Sequence, residues 1–498
     1  MVLITDQKIT QPGNPTPGVE IGYAVSIENY IVWVNGLPNV KVNEIVMTED
    51  GQSGLVTGIK DHLVEVLMLD DARIKPQQSF KRTGAQLSVP VGNFLIGRTI
   101  NPLGLAIDGK GPFPKGETRE IDQPAPGIKA RELISQQFET GIPLVDMLAP
   151  LALGQRELLL GDPHSGKTGF LIDVVTAQKG KNITCVYAII GKPINEVAKI
   201  VDILKTNKAL DYTVVVATSS SELASLIYLT PYVSATIAEY FQQKGSDVLL
   251  ILDDMGNHAK FYREISLLSG KPPGRESYPG DIFYQHAKLV ERGGKFNKEH
   301  GGGSITILPV IETSQDDYTT FMSTNLMGMT DGHLLFSNTS YRTGQRPPID
   351  IFLSVSRVGH QTQSLAQKAL ADRIKSLLSQ ASRLEAYSRL GSDISPQTQF
   401  ILKQASQVKE LLKQSPLTRI PISVQMILLG LIYTPFFSDK DVAFVQSNKY
   451  KLITFLTTKF DLKTFDTQVS RFKDDNQFIK TISTLIPTLE KVSSEAQK

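Results

Sequence analysis

Only one cysteine and one tryptophan occur among 498 residues, and neither charge sign prevails: 52 Lys and Arg stand against 50 Asp and Glu, a formal net charge of +2. The lone Cys185 rules out a disulfide within the chain and suits a reducing compartment. Its place inside the run "ITCVYAII" predicts a buried strand residue. The balanced charge argues against a protein drawn to nucleic acid or to a membrane surface by its overall field. The N-terminal stretch "MVLITDQKITQPGNPTPG" lacks a basic segment followed by an apolar one, so no signal peptide is expected there. The most apolar segment, "VQMILLGLIYTPFF" at residues 424–437, is too short for a bilayer and contains Pro435; it predicts a buried helix. A soluble, cytoplasmic protein is expected, one that could still dock on a membrane assembly. No repeat of solenoid period is visible.

At this length two to four domains are expected. A polar tail with Pro and Gly occupies residues 1–18. Residues 19–84 carry short alternating runs, such as "GYAVSIENYIVWVNG" and "HLVEVLML", separated by turn residues; they predict a small closed β-domain with Trp33 in its core. Across residues 85–360 the runs "RELLLG", "ITCVYAII", "YTVVVATS", "DVLLILDD" and "SITILPVIET" alternate with helical stretches. Continuous apolar strands separated by helices predict a parallel sheet covered on both faces. From 361 to 498 Pro and Gly thin out and helical periodicity dominates, as in "SLAQKALADRIKSLLSQASRLEAYSRLG". The expected fold is therefore α/β and multidomain: an N-terminal β-barrel, a central P-loop parallel sheet and a C-terminal helical bundle.

The strongest chemical signal is "GDPHSGKT", Gly161 to Thr168, which fits GxxxxGK[ST] between an apolar strand and a helical pattern. Backbone N–H groups across Gly161, His164, Ser165 and Gly166, with a helix N-terminus behind them, suit phosphate oxygens. Lys167 would neutralise β- and γ-phosphate charge, and the Thr168 hydroxyl would ligate Mg²⁺. "DVLLILDDM" ends in two carboxylates, and a carboxylate at the end of a neighbouring strand suits the same cation. Asp253 is the better candidate, because Asp254 could face solvent or cap a helix. ATP or ADP with Mg²⁺ are the expected ligands. Cleavage would further need a group that orients water and a cation for the transition-state charge.

Beyond the loop, "PAPGI", "TGIPLVDMLAPLALGQRELLLGD", "PPGRESYPGDIFYQHAKLVERGGK", "GGGSITILPVIET" and "PPIDIFLSVSRVG" resemble the hexameric rotary ATPases. The match is to the non-catalytic α subunit of F-type ATP synthases, over residues 18–462. The resemblance implies a RecA-like core and a ring in which this chain alternates with a catalytic β-type subunit around a γ-type shaft. It also implies indirect association with the inner face of the cell membrane through the complex. In the β type a glutamate polarises the attacking water, and in the α type a glutamine replaces it; "AIIGKPINEV" places Lys192 there. A charged lysine cannot accept a water proton, so no turnover is expected at this chain's own site. Glu196, four residues on, is the one alternative carboxylate nearby in sequence. The resemblance makes Arg357 of "SVSRVG" an arginine finger, reaching in trans to the γ-phosphate in the neighbouring catalytic subunit. A planar, permanently charged guanidinium suits that role. It likewise places Arg346, Pro347 and Gln414 beside the adenine of a retained nucleotide.

Several positions depart from the α pattern. Pro416 replaces a second glutamine of the adenine pocket, Pro163 and His164 stand where arginine and glutamine are usual, and Gly328 replaces a serine of the catalytic interface. The tail before the first strand shows no apolar stripe at helical spacing, where α subunits carry an amphipathic helix that docks the δ stator subunit. The missing helix points to a paralogue in a different assembly, such as the F-type-like ATPases of wall-less bacteria, some of them associated with gliding motility. Two rival readings are an active homohexameric export ATPase, which needs a water-activating carboxylate, and a hexameric RNA translocase, which the near-neutral charge disfavours.

Overall fold

The computed structural model describes residues 20–71, 73–388, 395–469, 472 and 474–494, so the expectation about the first 18 residues lies outside the described residues. Six strands, β1 (Ile21–Glu28), β2 (Ile31–Asn35), β3 (Glu44–Thr48), β4 (Ser53–Lys60), β5 (Leu63–Met68) and β6 (Ser79–Gln86), close a barrel in the order β1-β2-β5-β4-β3-β6. Val32, Val34, Val46, Val56, Val64, Val66 and Phe80 pack as one buried cluster within this unit. Trp33 is not part of it. Strand alternation turns position 33 to the face opposite Val32 and Val34, where Trp33 pairs with Ser26 and Glu65 and is only half-buried.

The central sheet comprises β7 (Glu157–Gly161), β8 (Ile183–Lys192), β9 (Thr213–Ser219), β10 (Asp247–Asp253), β11 (Ser304–Glu312), β12 (Gly332–Phe336) and β13 (Ile349–Ser356). Their order is β13-β12-β7-β11-β10-β8-β9, followed by the short strand Thr99–Ile100. β7 to β12 run parallel, and β13 joins antiparallel at the edge. Crossover helices α1 (Lys167–Thr176), α2 (Ile194–Thr206) and α3 (Ala224–Gln243) follow β7, β8 and β9, and α4 (Met255–Leu268) follows β10. The strands read as unbroken apolar runs because both faces are covered. Leu159, Tyr187, Val215, Ile251 and Val310 feed one core, while their neighbours Leu160, Val186, Val216, Leu250 and Ile311 feed the other. Cys185 lies buried in β8, where burial pushes its thiol up to about 12.

The first of these cores runs without a break into the C-terminal helices, through Leu370, Ile374, Ile427 and Leu428. The apolar segment expected as a buried helix supplies helix Ile422–Gly430, whose residues from Ser423 onward are buried. A single buried carboxylate ties the two regions together. Asp146 accepts from the Thr140 backbone N–H (2.8 Å) and hydroxyl (2.7 Å), from the Gly141 N–H (2.9 Å) and from the Gln425 amide (2.8 Å). Its backbone carbonyl also accepts from the side chains of Gln363 and Gln367, at 3.1 Å each. Burial raises the Asp146 carboxyl to about 6, although these donors oppose the rise.

Asp146→Ala should leave several buried donors without an acceptor and cost about 3 kcal/mol or more of stability. Asp146→Asn, which keeps one carbonyl acceptor, should cost less; urea midpoints of the two variants check the order.

Candidate functional site

The C-terminal ends of β7, β8, β10 and β11 meet along one edge of the sheet, the place where parallel sheets bind ligands. There the chain leaves β7 at Gly161, where a Cβ would meet the Phe336 backbone oxygen at 2.7 Å and Ser165 Oγ at 2.9 Å, so only glycine fits. The loop then turns through His164 (φ 62°) and Gly166 (φ 96°), both in the left-handed region, and α1 starts at Lys167. His164 is exposed, whereas Ser165 and Lys167 are buried. Lys167 Nζ donates to the carbonyls of Gly161 and Asp162, at 2.7 Å each, and to Ser165 Oγ at 3.4 Å. Burial lowers the Lys167 ammonium below its ordinary value, and Glu312, 3.8 Å away, opposes this. Thr168 follows as the second residue of α1, partly exposed.

One residue of the loop has a role that sequence reasoning missed. Asp162 accepts from Thr313 Oγ1 (2.6 Å), Asn338 Nδ2 (2.8 Å) and the Asp316 N–H (3.0 Å). It pins the first turn of the loop to the chain beyond β11 and to the short helix Asn338–Arg342. No local pattern signals those partners, because they lie more than 150 positions away along the chain.

Asp253 ends β10 as expected, but its carboxylate is not free. Lys192 Nζ lies 2.6 Å from its Oδ1, and the Tyr187 hydroxyl donates to its Oδ2 at 2.9 Å. Burial alone would lower the Lys192 ammonium; contact with Asp253 outweighs it and holds the group above the ordinary lysine range. Mg²⁺ requires oxygen ligands at short, near-octahedral distances. Both oxygens of Asp253 are already engaged, one of them by a full positive charge. The pair Asp253 and Thr168 therefore does not fit the cation that the sequence predicts there. Asp254, joined to Asp253 by a cis peptide bond, caps α4: its Oδ1 accepts from the Gly256 N–H at 2.7 Å. Burial, then the nearby Glu312, push its carboxyl up to about 7. Glu196 is exposed in the first turn of α2. Among the described residues no group of three or more His, Cys, Asp or Glu is placed to hold a metal.

The chain that carries Arg346 and Pro347 passes beside the loop: Pro348, the next residue, lies 3.5 Å from where a Gly166 Cβ would be. Arg346 stacks its guanidinium 3.7 Å above the Tyr341 ring and donates to the Tyr341 and Gln345 carbonyls at 2.8 Å. Tyr341 had given no sequence signal. The Gln414 N–H donates to the Arg346 carbonyl at 2.8 Å. Its side-chain amide donates to the Gly141 (3.2 Å) and Thr418 carbonyls, and its Oε1 is buried without a partner among the described residues. Beyond Pro416, the Leu417 N–H donates to Asp173 Oδ1 of α1 at 2.7 Å, so this turn is fastened to the helix behind the loop.

Arg357 lies apart from the loop, just past the end of the edge strand β13, and is exposed. Its neighbours in the motif are both docked on Pro150. Ser356 Oγ donates to the Pro150 carbonyl, and Gly359 packs so close that a Cβ there would lie 1.7 Å from the same oxygen. The guanidinium has no hydrogen bond or ion pair to another described residue. Just upstream, the register of β13 slips between Asp350, which pairs with Leu335, and Val355, which pairs with His333. The bulge exposes Phe352 (56%) and Leu353 (48%).

The fold and loop define a P-loop nucleotide-binding chain with a barrel before it and helices behind. Family models agree: that of the ATP synthase alpha/beta family, nucleotide-binding domain, matches residues 141–356, and that of the ATP synthase alpha/beta chain, C-terminal domain, matches residues 363–486. ATP synthase subunit alpha 1 of Mycoplasmopsis pulmonis is 43% identical over 410 residues, 82% of this chain and 78% of that protein. ATP synthase subunit alpha of Metamycoplasma arthritidis is 38% identical over 467 residues, covering 94% and 86%. That of Caldanaerobacter subterraneus subsp. tengcongensis is 39% identical over 438 residues, covering 88% and 87%. The chain belongs to the family of F-type ATP synthase alpha subunits. No helix among its described residues is long and apolar enough to cross a membrane.

If Asp162 sets the shape of the loop, Asp162→Ala should weaken nucleotide binding by the purified chain at least tenfold, about 1.4 kcal/mol. A titration with a fluorescent ATP analogue measures it, with circular dichroism to show that the fold persists.

Proposed function

We propose that this chain is a non-catalytic, nucleotide-holding subunit of a hexameric rotary ATPase. It alternates with a catalytic β-type subunit around a γ-type shaft and holds ATP or ADP on the loop from Gly161 to Thr168, with Arg346, Pro347 and Gln414 beside the base. The observation that carries the reading is the buried contact between Lys192 and Asp253. Hydrolysis needs a group at the strand end that can orient and deprotonate water. A protonated lysine has no lone pair to accept that proton, and its partner carboxylate is committed to the ion pair.

Arg357 acts elsewhere, at the site of the neighbouring catalytic subunit. Its exposure, its lack of a partner among the described residues and the fixed strand end that presents it support this role. An arginine finger supplied in trans stabilises charge on the transferring phosphoryl group without taking part in covalent chemistry. The exposed Phe352 and Leu353 beside it supply apolar area for the subunit contact. The helical domain shares its core with the sheet, which suits the transmission of ring opening and closing toward the shaft. Departures from the α pattern at Pro163, His164, Lys192, Gly328 and Pro416 favour a specialised assembly, such as a gliding motor, associated with the membrane only through its partners.

Arg357→Ala in the assembled complex should slow hydrolysis by about 10³-fold or more while nucleotide stays bound to this subunit. An unchanged rate would remove the finger assignment. The purified chain alone should show no ATP turnover. Turnover abolished by Glu196→Gln but not by Lys192→Ala would instead establish an active export-type enzyme.

A further inference from the structure

Two lysines and three carboxylates share the cleft at the strand ends: Lys167 and Lys192 with Asp253, Asp254 and Glu312. Asp253 and Asp254 are already engaged. Asp253 meets Lys192 at 2.6 Å and the Tyr187 hydroxyl at 2.9 Å, Asp254 caps α4, and Glu312 lies 3.8 Å from Lys167. We propose that Lys192 is a built-in counter-cation, so that this chain binds a nucleoside di- or triphosphate without a divalent metal ion.

The reason is electrostatic. A divalent cation brought to Asp253 would come within a few ångströms of a buried ammonium, where the low dielectric makes like charges repel strongly. Expelling Lys192 instead would leave that ammonium buried without its carboxylate. Mg²⁺ also gives up its water reluctantly and gains less from a carboxylate already neutralised by an ammonium. Lys192 occupies the side of Asp253 that a cation would take, and Lys167 stays at the base of the loop that would receive a polyphosphate. Lys192 thus takes the place of a metal at Asp253, and its presence there does not vary with the metal content of the solution.

The inference rests on the nucleotide-holding reading above, and one calorimetric experiment separates the two. ATP is titrated into the purified full-length chain in EDTA and again in excess MgCl₂. The expected result is that the wild-type dissociation constants in the two buffers differ by less than tenfold. Lys192→Gln, which removes the ammonium and frees Asp253, should bind at least tenfold tighter in Mg²⁺ than in EDTA. A wild-type affinity that falls tenfold or more in EDTA, or a Lys192→Gln chain as indifferent to Mg²⁺ as the wild type, overturns the inference and leaves the nucleotide-holding reading intact. Absence of ATP binding in both buffers overturns both. The wild-type comparison stands even if Lys192→Gln does not fold.

Discussion

Everything in the central region depends on a parallel sheet buried on both faces. Alternate residues of each strand enter separate cores, so neither face can give way without loss of apolar burial on that side. One core continues into the C-terminal helices, and Asp146 fastens the same junction with four hydrogen bonds to its carboxylate. The helical region is therefore an extension of the sheet's packing and not a separate body on a tether. Movement of those helices must be felt at the strands, and the strand ends are where the phosphate loop begins.

At those strand ends, shape and charge have diverged. The loop keeps its glycines where the backbone demands them, and Asp162 locks its first turn to distant parts of the fold. Lys167 is held by loop carbonyls in a position that a phosphate could take over. At the end of β8, separated from β7 by β11 and β10, a buried ammonium lies on the Asp253 carboxylate. The phosphate loop follows β7, whereas the Lys192–Asp253 contact joins β8 to β10, so the two features rest on different strands.

Much of this was legible in the sequence, and the reasons differ by element. The five apolar runs became β7 to β11 because a strand covered on both faces has no polar alternation to obscure it. The phosphate loop was legible because its chemistry is local, with glycines, Lys167 and Thr168 within eight residues. Trp33 was misplaced in the core because an aromatic residue in an alternating run gives no sign of which face it takes. The pairing of Lys192 with Asp253 was invisible for a geometric reason: parallel neighbours β8 and β10 align Ile189 with Asp253, a register that exists only once the sheet is assembled. Asp253 was correctly placed at a strand end, and its availability was misjudged because its partner sits 61 positions earlier.

The bulged edge strand has a consequence for how the protein must be made. β13 lies at the margin of the sheet and bears Phe352, Leu353 and Val355 exposed. Such an edge is a template for indiscriminate strand pairing, and the bulge, with Asp350 occupying the Phe352 and Leu353 N–H groups, blunts it only in part. A chain produced in excess of its partner would carry that adhesive margin into solution. Balanced synthesis of the two subunit types, or a chaperone that covers the edge until assembly, is then a requirement of solubility as much as of mechanism.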